Sequence, residues 1–174
     1  MKPRIVGIGD WNLMVDAFES ESDRRVAILA GSFAKHALGT FLTHSVSDKK
    51  VAEKLFGPVG PLSSFSQRIA VAYAFGLITR AQYEDFEIIR QIRKHFAHHP
   101  LQASFSSPDV QKFLSGLSWY GDPENNGGPH NHRTAYLITC GLVSRRLLDQ
   151  VEREEREKGE QGPGESGRYR RRAD

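Results

Sequence analysis

Thr79-Arg-Ala-Gln-Tyr-Glu-Asp-Phe-Glu-Ile-Ile-Arg-Gln-Ile-Arg-Lys-His-Phe-Ala-His-His99, followed by Pro100, is the stretch that decides how this chain folds. Tyr83, Phe86, Ile89, Ile92 and Phe96 recur at intervals of three or four, the signature of a helix with one apolar face. Thr79 supplies an N-cap hydroxyl, and Pro100 stops the helix because the residue before proline is pushed out of the helical region. A helix of this length with one buried face is expected at the centre of an all-α protein.

The flanking sequence reads the same way. Trp11 to Phe18 is a short amphipathic segment, broken at Ser20–Ser22. From Asp23 to about Thr43, Val26, Leu29, Phe33, Ala37 and Phe41 form one stripe of a long helix. Gly31 and Gly39 weaken that helix and point to close approach of a neighbour. Ser47 is a candidate cap for a helix to Phe56 that buries Val51, Leu55 and Phe56. Gly57-Pro-Val-Gly-Pro-Leu62 breaks the chain. Ser64 or Ser66 opens a helix through Tyr73 to Leu77, and Ser107-Pro108 opens one through Leu117. Gly121 to Pro129 is a loop. A last helix, from about His132 to Glu157, places Tyr136, Leu137, Leu142, Val143, Leu147 and Leu148 on its buried side. The expected architecture is an antiparallel bundle of six or seven helices over 11–157, with an irregular lead-in at 1–10 and a disordered charged tail at 158–174.

Composition narrows the function. Among 174 residues the formal net charge is +3, too small for nucleic-acid binding by bulk charge alone. Cys140 is the only cysteine, which excludes an intramolecular disulfide and a cysteine-based zinc site. The first residues are too broken by Gly7, Gly9 and Asp10 for a signal peptide, and no apolar run reaches the ~20 residues of a membrane span. A cytoplasmic protein is expected. No phosphate loop, catalytic triad or paired-carboxylate motif is present, so no cofactor is expected. His95 and His99 have metal-ligand spacing, but no third ligand lies near in sequence. Tyr169-Arg-Arg-Arg172 could touch nucleic acid, although a solvated tail is the simpler account.

Three stretches occur in order, the last within the central helix: Glu21-Ser-Asp23-Arg24, Gly60-Pro-Leu-Ser-Ser-Phe-Ser-Gln-Arg68-Ile, and Ile89-Arg-Gln-Ile-Arg93-Lys-His-Phe-Ala-His98. With Ala72-Tyr-Ala-Phe-Gly-Leu-Ile78 between the last two, they resemble the mannitol operon repressor family over roughly residues 11–120. The resemblance implies an all-helical transcriptional regulator of sugar-alcohol utilisation, and Asp23, Arg24, Arg68, Arg93 and His98 as a shared polar core or groove. It does not imply a DNA-binding mechanism. The one stretch shaped like a helix-turn-helix is 66–92, and its second helix carries Glu84, Asp85 and Glu87, which would face phosphates. The expectation is therefore a homodimer acting through an unidentified protein partner, with direct nucleic-acid binding left open.

Arg93-x4-His98 also resembles the signature of HEPN domains, helical bundles that include metal-independent ribonucleases. There an arginine holds phosphoryl oxygens and a histidine moves the proton. Lys94 departs from that pattern, which usually places Asn, Asp or His after the arginine. On an ideal helix Arg93 and His98 lie about 140° apart, so they converge only if the helix loosens at its end. A structural alternative stands beside catalysis: Asp23, Arg68 and Arg93 could form a buried ion network that fixes helix register.

Overall fold

The computed structural model describes residues 13, 15–18, 20–99, 103–118 and 132–160. The expected lead-in at 1–10, the loop at 121–129 and the tail beyond 160 lie outside these residues. Six helices follow a helical turn at 15–17: α1 (Asp23–Ser45), α2 (Lys49–Phe56), α3 (Phe65–Ala74), α4 (Arg80–His98), α5 (Pro108–Leu114) and α6 (His132–Glu160). No strand occurs among the described residues.

Helix starts follow local chemistry. Ser22 accepts from Arg25 N, and Ser64 and Thr79 each form a reciprocal capping box, with Gln67 and Gln82. Asp48, not Ser47, caps α2. Its carboxylate accepts from both Lys50 N and Val51 N, and its charge suits a helix N-terminus. α3 ends at Ala74, short of the expected Leu77, because Gly76 turns left-handed at φ 66°. Leu77 N then donates to Ala72 O and Gly76 N to Tyr73 O, which satisfies carbonyls of the last turn. α5 likewise ends at Leu114 rather than Leu117, and α6 continues to Glu160.

α4 is the central helix. Phe86, Ile89, Ile92 and Phe96 are all fully buried, and α4 packs against α1, α3, α5 and α6. α1 and α6 form the largest interface, and they run parallel. Asp23 pairs with Arg133 at their starts, the Tyr136 hydroxyl donates to Ala27 O at 2.9 Å, and His44 meets Glu154 near their ends. α4 runs antiparallel to both. Its C-terminal Phe96 packs on Phe105, which stacks in turn on Tyr136, while its N-terminal Gln82 faces Arg146 and Arg153 of α6. The bundle is thus antiparallel about α4 with one parallel pair. One apolar cluster runs through it from Phe18 to Val151.

α1 is wedged between α4 and α6, so its buried face is broader than a single stripe. Ala27, Ala30, Ala34 and Leu38 join Val26, Phe33, Ala37 and Phe41 in the core. Leu29, Val51 and Leu142, expected inside, are exposed. By length and composition α1 could cross a membrane, contrary to the expectation from the sequence. However, 61% of its most apolar window is buried against the other helices, as in a core helix. Cys140 is fully buried on α6 and burial pushes its thiol pKa far up, which removes it as a nucleophile.

Candidate functional site

Asp23, Arg68 and Arg93 do not form one ion network. Asp23 receives Arg133 Nη1 at 3.1 Å, Ser104 Oγ at 2.9 Å and Phe105 N at 3.1 Å. Arg133 also donates to the carbonyls of Glu21 and Phe18. This clasp joins the starts of α1 and α6 to the segment before α5. Arg24 points to solvent beside it. Arg68 instead donates to Leu62 O at 3.0 Å and Phe56 O at 2.7 Å, tying the 57–64 turn to α3. Arg93 donates to Ser32 Oγ at 3.1 Å.

Arg68 and Arg93 do share one surface, that of α1, and two glycines are the reason. A Cβ at Gly31 would lie 2.7 Å from the Tyr136 hydroxyl and 3.1 Å from Arg93 Cβ, and a Cβ at Gly39 would overlap the Arg68 guanidinium. Gly31, Lys35 and Gly39 stand four residues apart along one ridge of the helix. Arg93 therefore crosses α1 at one end of the ridge and Arg68 at the other, with Lys35 between them. Burial lowers the pKa of Lys35, and the charges of Arg68 and then Arg93 lower it further. None of the three cations has a carboxylate within salt-bridge distance among the described residues. A concavity of about 600 Å³ opens over Lys35 and Arg68, lined also by Ser32, His36, Phe56 and Ser63, among others, while Arg93 lies outside it. Lys35 was not singled out from the sequence. The Gly-x3-Lys-x3-Gly ladder at helical spacing is the signal that could have found it.

The Arg93-x4-His98 element is not convergent. α4 is helical through His98, so the loosening that convergence requires does not occur. The Arg93 side chain lies against α1, and His98 is exposed in the last turn. His95 and His99 stack at 4.6 Å between ring centroids, beside Asp109 and Lys112. No group of three metal-ligating side chains occurs among the described residues.

The acidic start of α4 also differs from expectation. Glu84 is exposed and pairs with Arg80, Glu87 pairs with Arg90, but Asp85 turns inward and is buried. Asp85 accepts from Ser118 N at 2.8 Å and Ser118 Oγ at 2.6 Å. Burial raises its pKa, against the lowering effects of Ser118 and Arg146. The folded state therefore holds this proton more tightly than the unfolded one. Its contribution to stability is full below the ordinary carboxylate range and is lost as pH rises through the raised value. Asp85→Asn keeps an acceptor for Ser118 N and lets its amide nitrogen donate to Ser118 Oγ, reversing that bond, without the charge. Its urea midpoint should gain on wild type as the pH goes from about 4 to about 7, and a pH-independent difference would refute this assignment.

Comparison with known proteins places these features in a lineage. A family model described as MtlR, mannitol repressor, matches residues 25–135, which include Lys35, Arg68, Arg93 and His98. Over 73 residues the chain is 29% identical to the mannitol operon repressors of Escherichia coli K12 and of Escherichia coli O6:H1 strain CFT073. That stretch is 42% of this chain and 37% of each relative, so the match spans little more than a third of those proteins. Among solved structures, the X-ray structure of the MtlR–HPr complex from Escherichia coli is similar, with a TM-score of 0.61 at 19% identity. The likeness covers 83% of this chain and 97% of that one, and at this identity it speaks for the fold.

Proposed function

The chain belongs to the mannitol repressor family, and from that premise we propose that it is a mannitol operon repressor-like transcriptional regulator acting through protein–protein contacts rather than by reading DNA itself. The observation that carries the second half is the acidic outer face at the start of α4. A recognition helix must offer a free polar face to a major groove about 12 Å wide. α4, the second helix of the one candidate pair, buries one face in the core and presents Glu84 and Glu87 in its first two turns, where carboxylates would face phosphates. The relative solved as a complex with HPr supports a protein partner, and HPr from the same cell is the partner proposed here. In this reading the regulator works in the cytoplasm as a homodimer without a cofactor.

Size-exclusion chromatography and calorimetry with purified HPr test it. A stoichiometric complex is expected, with no preference of the isolated chain for its own promoter over a scrambled duplex. Absence of a complex, together with sequence-specific DNA binding, would overturn the proposal. The ribonuclease alternative, with Arg93 and His98 as its active pair, predicts RNA cleavage in EDTA that His98→Ala abolishes. The separation of those two side chains on a continuous helix gives no support to that outcome.

A further inference from the structure

We propose that the concavity between α1 and the 57–64 turn binds the phosphate-type oxyanion of a small molecule, held by Lys35, Arg68 and the Ser63 hydroxyl. The inference stands on the geometry of the concavity and does not depend on the protein partner. Arg68 and Arg93 each have a structural task, since they satisfy the carbonyls of Phe56 and Leu62 and the hydroxyl of Ser32. Lys35 has none. It makes no hydrogen bond or ion pair among the described residues, yet it is held half-buried between two guanidinium groups that repel it. A third positive charge in that place raises the energy of the empty fold and lowers it once an anion arrives.

The donors suit an oxyanion. A guanidinium has five N–H donors, and Arg68 spends two of them on carbonyls, so three remain. The Ser63 hydroxyl has no hydrogen-bond partner among the described residues. Charge-assisted bonds from ammonium and guanidinium are the strong ones that phosphate recognition uses. The lining contains no carboxylate to compete with the ligand. Phe56 and Pro58 supply an apolar wall for the carbon body of the ligand. Gly39 is part of the device, because any larger residue would displace the guanidinium from the mouth of the site.

Thermal unfolding and isothermal calorimetry of the full chain test this with inorganic phosphate and glycerol 2-phosphate, against chloride at matched ionic strength. Both phosphates should raise Tm more in wild type than in Lys35→Gln, which separates site binding from the general stabilisation that phosphate gives by exclusion from protein surfaces. Lys35→Gln should weaken phosphate binding about tenfold. The same variant should melt higher than wild type in the absence of phosphate, because a repelled charge is gone. Lys112→Gln, on α5, should bind like wild type. Equal effects of phosphate and chloride, or undiminished binding by Lys35→Gln, would overturn the proposal. A phosphoserine peptide that binds ten times more tightly than glycerol 2-phosphate would overturn the small-molecule assignment.

Discussion

Replacing Asp23 with alanine is expected to lower the stability of the fold by about 3 kcal/mol, read as a lower urea midpoint at unchanged slope. The carboxylate is the shared acceptor for Arg133, the Ser104 hydroxyl and the Phe105 backbone N–H. Its removal takes away an ion pair and leaves the Phe105 N–H without its acceptor, next to a fully packed ring. The ion pair alone would contribute little, since the two side chains are 30% and 20% exposed and an exposed pair is worth about 0–1 kcal/mol. Most of the loss therefore belongs to the hydrogen bonds. Asp23→Asn keeps one acceptor oxygen and should lose roughly half as much. A loss below about 1 kcal/mol for Asp23→Ala would show that the clasp is ordinary surface chemistry.

Gly31→Ala should cost about 2–3 kcal/mol, although alanine is the better helix former by about 1 kcal/mol. The added methyl would sit 2.7 Å from the Tyr136 hydroxyl and 3.1 Å from Arg93 Cβ. Neither can retreat cheaply. Tyr136 is fully buried and its hydroxyl donates to Ala27 O, so moving it costs a buried hydrogen bond as well as packing. The test is a double-mutant cycle. Tyr136→Phe removes the oxygen nearest the new methyl, so Gly31→Ala should be milder in that background by about 1 kcal/mol or more. Additive losses would place the strain elsewhere.

The local parts of this structure were legible from sequence because their causes are local. The apolar spacing of Phe86, Ile89, Ile92 and Phe96 identified the central helix, and Ser22, Thr79 and Ser107 marked helix starts. The resemblance drawn from the stretches around Asp23, Arg68 and Arg93 led to the right family, whereas the ion network that those three residues could have formed is replaced by separate contacts. What was hidden is what depends on distant pairing. Arg133 lies 110 residues from the Asp23 it holds, and nothing in either neighbourhood announces the other. The parallel course of α1 and α6 has no local signature. Leu29 and Val51 fit a stripe by spacing but face outward, because which side of a helix is covered depends on where its neighbours lie. Lys35 reads in sequence as an ordinary solvated lysine. It becomes conspicuous only when Gly31 and Gly39 are seen to admit two arginines beside it.

The proposed regulator meets a protein and does not itself read DNA. Fluorescence anisotropy of a labelled fragment of its own promoter, titrated with the purified chain at two salt concentrations, measures this most directly. The account predicts no difference from a scrambled duplex at either salt, and equimolar HPr forming a complex with the same preparation. Saturable binding to the promoter that a scrambled duplex does not compete away would contradict it.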